Sequence, residues 1–223
     1  KKTMLLARDR LGLKPLYYVL DENRLIFSSE IKGILAAGTV RRDINYDALY
    51  AYFTRDYIPS PDSIYANIHK LPPAHILICS PKSSSLKQYW HLQNAGVSPD
   101  IGKTEEDYLA QLEALLKESV SLRMVSDVPV GVLLSGGVDS STVLAMMAQI
   151  SDQPVKTFSI GSGAADYDEL KYARMVAERF GTDHRELIVQ PDALEIVPTL
   201  VEGYDEPFSD ASSVPTYYVS KLA

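Results

Sequence analysis

The chain has 223 residues, 46% of them hydrophobic, with 22 Lys and Arg against 29 Asp and Glu, one Cys and four His. This ordinary globular composition excludes disorder and collagen-like repeats, and no run of about 18 or more apolar residues is present to cross a membrane. A single Cys and four scattered His exclude an internal disulfide and a structural zinc site, and point to a cytoplasmic setting.

Taken in chain order, Met4–Ala7, Leu16–Leu20 and Leu25–Ser28 are short apolar or aromatic runs that predict strands, the last two joined at Asp21-Glu22-Asn23. Ile31, Ile34 and Leu35 recur at helical spacing until Gly38, and a second helix is predicted over Tyr46–Phe53 with Asn45 as its cap. Ala74–Cys79 and Leu86–Trp90 predict another strand pair. The first half therefore reads as α+β with antiparallel pairing. Gln93 to Lys103 is small and polar, as an interdomain linker is. Thr104 then caps a helix whose apolar stripe is Tyr108, Leu112, Leu115, Leu116 and Val120.

Beyond that helix strands and helices alternate: strand Val128–Leu134, helix 140–150, strand Val155–Ile160, helix 167–180, strand Glu186–Val189, helix 193–201. Alternation of this kind predicts a parallel sheet with ligands at the carboxyl ends of its strands. Charge divides near the same boundary. Residues 1–97 hold 13 cationic and 8 acidic side chains, and residues 98–223 hold 9 and 21, so the second unit is a poor nucleic-acid surface.

The most informative string is Val130-Gly-Val-Leu-Leu-Ser135-Gly136-Gly137-Val138-Asp139-Ser140-Ser141. An apolar strand, expected to be buried on both faces, runs into Ser-Gly-Gly and straight on into a helix. Two glycines allow close backbone approach, and a helix N-terminus favours an anion. Ser135 and Ser140 add hydroxyl donors. Asp139 would repel phosphate by itself, but becomes an oxygen ligand once a magnesium ion bridges it to the phosphates. Read as structure alone, the string is a tight turn with helix caps. Gly102-Lys103-Thr104 looks like the end of a different phosphate loop, but no buried strand precedes it and Gly96 stands one residue too far upstream.

Ser-Gly-Gly-Val-Asp-Ser at 135–140 resembles the pyrophosphate loop of ATP pyrophosphatases that adenylate a substrate. Other strings narrow the resemblance: Arg8-Asp-Arg-Leu-Gly-Leu-Lys-Pro, Phe27-Ser-Ser-Glu-Ile-Lys32, Ile68-His-Lys-Leu-Pro-Pro73, Thr157-Phe-Ser-Ile-Gly161, Gly181-Thr-Asp-His184 and Tyr204-Asp-Glu-Pro-Phe-Ser-Asp210. In this order they are similar to glutamine-hydrolysing asparagine synthetases over nearly the whole chain.

The resemblance implies two partial domains. Residues 1–95 would be the C-terminal part of an α+β, Ntn-hydrolase-type class II glutaminase and 96–103 a linker. Residues 104–223 would be the N-terminal part of an α/β, Rossmann-like ATP pyrophosphatase domain. It implies that aspartate's carboxylate is adenylated by ATP and that glutamine-derived ammonia then displaces AMP. Ser135, Gly136, Gly137 and Ser140 would hold pyrophosphate, Asp139 would bind Mg2+, and Leu133, Ile160 and Gly161 would flank the adenosine. Asp205, Glu206 and Asp210 would either shape the substrate cleft or cap a helix.

ATP, aspartate and glutamine are the expected small-molecule partners, with no nucleic acid or membrane, and a homodimer is compatible with the resemblance. The family's N-terminal Cys nucleophile, its second glycine-acid loop and its later lysine are not in these 223 residues. The chain thus reads as an internal piece expected to release no ammonia from glutamine, and Cys79 as a small buried side chain. Arg8, Asp9, Arg10 and Lys14 read as a charged turn packing against the partner domain in preference to a substrate-orienting set, and His184 and Arg185 as a polar strand entry in preference to a catalytic pair. Two other readings stay open: a relative that amidates or cyclises another carboxylate, as a β-lactam synthetase does, and a nucleotide-binding module without catalysis.

Overall fold

A computed structural model describes residues 2–95, 102–161, 169–189 and 193–223. The expected 96–103 linker therefore lies mostly outside the described residues, as does the start of the helix expected from Tyr167. The described residues fall into two compact units. The first takes those up to Ala95 together with Val197–Asp210; the second takes those from Gly102 to Ile196 together with Ala211–Ala223.

In the first unit, strands β1 (Met4–Ala7), β5 (His75–Ser80) and β6 (Ser83–Gln88) form one antiparallel sheet in the order β1-β5-β6. Strands β2 (Tyr17–Leu20), β3 (Leu25–Ser28) and β4 (His69–Lys70) form another, with β2 central and both pairings antiparallel. Inward residues of the first sheet, Leu6, Leu77 and Cys79, pack with Leu71. From the second, Val19 packs with Ile68 and with Ile31 and Ile34 of the short helix α1 (Ile31–Leu35). Helix α2 (Tyr46–Arg55) opens at Asn45, whose side chain accepts from the Ala48 N–H at 3.1 Å, and runs two residues past the expected end.

The expected hairpin partner Leu86–Trp90 begins three residues earlier, at Ser83, and stops at Gln88. Every residue of β6 is exposed, so the strand is defined by its ladder to β5 and not by apolar content. A single 3-10 turn, Leu92–Ala95, follows. The residues from Arg8 form a tight turn: the Arg8 guanidinium donates to the carbonyls of Lys14, Leu71 and Gly12, while Asp9 accepts from the N–H groups of Leu13 and Lys14.

In the second unit, helix α3 (Glu105–Arg123) starts with a capping box in which Thr104 and Asp107 satisfy each other's backbone N–H. Of its expected apolar stripe only Val120 is buried; Tyr108, Leu112 and Leu115 are exposed. Strands β7 (Gly131–Leu133), β8 (Lys156–Gly161) and β9 (Asp183–Ile188) form a parallel sheet in that order, as the alternation predicted. Helices α4 (Val138–Ile150), α5 (Glu169–Phe180), α6 (Ala193–Tyr204) and α7 (Ser213–Leu222) complete the set, α6 ending within the segment that groups with the first unit. Val132, Leu134, Leu144, Met147, Val155, Ala173 and Ala177 form the core with Val120.

The expectation that the strand before the glycine loop is buried on both faces is not met. Val132 and Leu134 are buried but Leu133 is 48% exposed. Among the described residues the face of β7 that carries Gly131 and Leu133 is exposed while Val132 packs into the core, so the strand is covered on one face.

Candidate functional site

Two hydrogen bonds tie the end of β7 to β8. The Leu134 N–H donates to the Phe158 carbonyl at 2.8 Å, and the buried Ser159 hydroxyl donates back to the Leu134 carbonyl. Ser135 therefore leaves the sheet from a fixed point.

Gly136 follows with φ +78°, and a Cβ there would lie 2.5 Å from both the Ala173 nitrogen and the Tyr172 carbonyl carbon of α5. Both facts demand glycine, one through the left-handed backbone and one through the approach of a neighbouring helix. Gly137 is the N-cap of α4 and offers no side-chain acceptor, so the helix begins at Val138, two residues ahead of expectation.

Its first bond closes from the Ser141 N–H to the Gly137 carbonyl at 3.1 Å. The N–H groups of Val138, Asp139 and Ser140 have no acceptor among the described residues. Three open donors at the positive end of a 13-residue helix are what an anion needs.

The serines stand beside these donors. Ser135 Oγ and Ser140 Oγ are 3.0 Å apart, the Ser135 N–H donates to Ser140 Oγ at 3.3 Å, and the Gly137 N–H donates to Ser135 Oγ at 3.2 Å. Ser135, Gly136, Gly137 and Ser140 thus form one closed turn. Asp139 is exposed on the first turn of α4 and pairs with no cation among the described residues. Ser141, which the residue pattern did not single out, has a buried hydroxyl without a partner among the described residues. An orphaned donor of this kind costs about 1–3 kcal/mol unless something accepts from it.

A cavity of about 110 Å³ opens at the carboxyl ends of β7 and β8, with Leu133, Leu134, Ser135, Phe158, Ser159 and Ile160 in its wall. It brings the sequence-selected Leu133, Ser135 and Ile160 together at the place where a parallel sheet binds ligands. Gly161 ends β8, and a Cβ on it would lie 2.5 Å from Leu170 Cδ1.

Asp205, Glu206 and Asp210 belong to the other unit. Asp205, at φ +66°, accepts from the backbone N–H of Lys32 at 3.1 Å in the first turn of α1 and lies 3.6 Å from Lys32 Nζ. Glu206 is paired with Lys70 and accepts from the Ile64 N–H. Burial pushes its carboxyl above the usual range even with Lys70 beside it. Asp210 is exposed.

Among the described residues no helix is long and apolar enough to cross a membrane, and no group of three or more His, Cys, Asp or Glu could hold a metal.

Comparison with known proteins yields matches to both halves. Residues 111–223, half of the chain, match the asparagine synthase family, and residues 1–90 match a glutamine amidotransferase domain. "Putative asparagine synthetase (glutamine-hydrolyzing) 2" of Methanocaldococcus jannaschii is 42% identical over 97% of this chain and 42% of its own length. Asparagine synthetase (glutamine-hydrolyzing) 1 of Bacillus subtilis is 32% identical over 97% of this chain and 34% of its own length. A more distant relative, Amidase chry2 of Gibberella zeae, is 29% identical over 87% of this chain and 31% of its own length. The chain thus spans less than half the length of each of these relatives. On these matches the chain belongs to the glutamine-hydrolysing asparagine synthase family, covering part of its amidotransferase region and part of its synthase region.

Proposed function

We propose that this chain carries the nucleotide-binding core of an ATP-dependent amidotransferase that makes asparagine from aspartate. Ser135, Gly136, Gly137, Asp139 and Ser140 receive the polyphosphate of ATP. Leu133, Ile160 and Gly161, at the strand ends, flank the adenosine. The family uses ATP, and one observation carries the assignment: open N–H donors of α4 meet a glycine that lets α5 close on the loop. The exposed Asp139 carboxylate, which pairs with no cation among the described residues, suits a magnesium ion carried by that ligand.

Mg2+ would be held by Asp139. Among the described residues no cluster of protein ligands surrounds it, and magnesium at nucleotide sites is commonly bound through one or two carboxylates plus substrate phosphates. Bound there, it supplies charge stabilisation for departing pyrophosphate. The backbone amides of the loop add to that stabilisation without having to reorient. In the reaction proposed for the complete enzyme, an aspartate carboxylate oxygen bonds to the α-phosphorus and pyrophosphate leaves. Ammonia from glutamine then bonds to the acyl carbon and AMP leaves. In that scheme the proposed division of labour is 1–95 for the glutaminase part and 104–223 for the synthetase part.

Calorimetric titration of the chain with Mg-ATP tests the site. Saturable binding that weakens at least tenfold in Asp139→Ala is expected, and equal binding by both forms defeats the metal assignment. The acceptor is tested separately by ATP–pyrophosphate exchange in the complete enzyme. Exchange that requires aspartate supports asparagine formation. Exchange driven only by another acid favours the second reading, a related amidotransferase, which the similarity to a protein named as an amidase supports.

A further inference from the structure

The contact at Gly136 places a helix backbone directly against the proposed pyrophosphate loop, so whatever fixes α5 also fixes the loop. The residue after Ala173 is Arg174, and its guanidinium grips Glu186 on β9. Nε lies 2.8 and 3.0 Å from the two carboxylate oxygens, and the second nitrogen lies 2.7 Å from Oε2. The chain of bonds continues inward. Glu186 Oε1 is 3.1 Å from His184 Nε2, His184 Nδ1 is 2.8 Å from Thr157 Oγ1, and Thr157 Oγ1 is 2.9 Å from Thr182 Oγ1.

One donor can be assigned from chemistry. A carboxylate held by an arginine only accepts, so His184 Nε2 carries a hydrogen and donates to Glu186, while Nδ1 and the two threonine hydroxyls share the remaining contacts of the chain. Arg174, as the strongest influence, also holds the Glu186 carboxyl below its usual range.

Thr157 is fully buried on β8. Two residues further along the same strand, Ser159 holds the Leu134 carbonyl immediately before the loop. The polar chain therefore joins the two elements that bound the loop, α5 on one side and β8 on the other.

We propose that Arg174 and Glu186 are positioning residues for the pyrophosphate site: their ion pair, aligned by His184 and Thr157, keeps α5 seated on Gly136 and so sets the loop geometry. This rests on the ATP reading given above. The Arg174 side chain is 48% exposed, so the pair adds little to global stability. Its effect should appear in ligand affinity instead.

The test is Mg-ATP affinity by calorimetry alongside thermal melting, in Arg174→Lys, Glu186→Gln, the double variant and Val155→Ala. Lysine keeps the charge but loses the two-pronged grip, and glutamine keeps the shape. Val155 is buried at the opposite end of β8 from the loop, so its variant reports how far a loss of core packing by itself changes affinity.

Each positioning variant is expected to bind about tenfold more weakly, the low end for losing an outer support of an ion site, with melting nearly unchanged. The double variant should lose less than the product of the two single losses, because the Arg174–Glu186 pair is removed in both. Val155→Ala should melt earlier yet bind normally. Unchanged affinity in both positioning variants overturns the proposal, as does an equal loss of affinity in Val155→Ala. Failure of the unsubstituted chain to bind Mg-ATP is a different result, which removes the ATP reading and this proposal with it.

Discussion

Gly136→Ala is the sharpest perturbation of the loop, because its cost can be separated into parts. A Cβ at φ +78° incurs the left-handed penalty of about 1–2 kcal/mol. The same atom would sit 2.5 Å from the Ala173 nitrogen, where carbon contacts need about 3.5 Å or more, so roughly 1 Å must open between loop and helix. Overpacking of that size adds about 1–3 kcal/mol. Gly181→Ala is the matched control, since Gly181 has φ +60° but no atom within 4 Å of its would-be Cβ and lies in the same unit. It incurs the backbone penalty alone. Melting of this unit should therefore fall by about 4–16 °C in Gly181→Ala and by about 4 °C or more beyond that in Gly136→Ala. A displacement near 1 Å at a positioning element is worth up to about a hundredfold. Mg-ATP titration should accordingly show near-complete loss for Gly136→Ala and none for Gly181→Ala. Coincident melting curves, or Gly136→Ala binding Mg-ATP like the parent, would refute the close approach of α5 to the loop.

Lys70→Met keeps the stem of the side chain and removes the cation from buried Glu206, whose side chain is 13% exposed. A loss of about 3 kcal/mol at pH 7 is expected, as for a broken buried pair, seen as a lower urea midpoint of the first unit. The carboxyl already sits above its usual range through burial, and without Lys70 it rises further. The native state then binds a proton that the unfolded chain does not, so the deficit should shrink as pH falls towards the ordinary carboxyl value; an equal loss at pH 7 and pH 5 contradicts this. Burial, reinforced by Glu206 and Asp205, pushes the Tyr17 phenol up to about 12. Its contribution to stability is full below the ordinary phenol value and fades as pH rises through the native one. Tyr17→Phe should thus flatten the alkaline loss of stability between about pH 10 and pH 12, and an unaltered slope there contradicts the assignment.

The fold was readable wherever burial imposes a period on the residues. Met4–Ala7 and Leu25–Ser28 are strands at the expected limits, and Ile31, Ile34 and Leu35 fall on one helix that ends before Gly38. Cap chemistry was equally legible, since Asn45 and Thr104 make the bonds their residue types predict. Where pairing alone decides, the sequence carries little signal. Ser83-Ser84-Ser85 looks like a turn, yet its backbone completes the ladder opposite Ser80, Cys79 and Ile78. The two-residue strand β4 is invisible for the same reason.

The candidate site divides along a similar line. Ser135, Gly136, Gly137, Asp139 and Ser140 are neighbours in sequence, so one loop carries its own signature. Asp205 and Glu206 are not, and their partners Lys32 and Lys70 lie more than a hundred residues away. Local reading left them between cleft and cap, and the backbone bond to Lys32 shows Asp205 serving the first turn of α1. His184 looked like a polar strand entry because its meaning depends on Thr157, which is buried on the adjacent strand in parallel register. What makes Gly136 obligatory is likewise non-local: a turn could explain its φ, but only the backbone of α5 explains why no side chain fits. The loop's chemistry is thus written in consecutive residues, while its rigidity is written in residues that meet only after folding. Substitutions at Arg174 or Glu186 therefore probe the site in a way that no loop variant can.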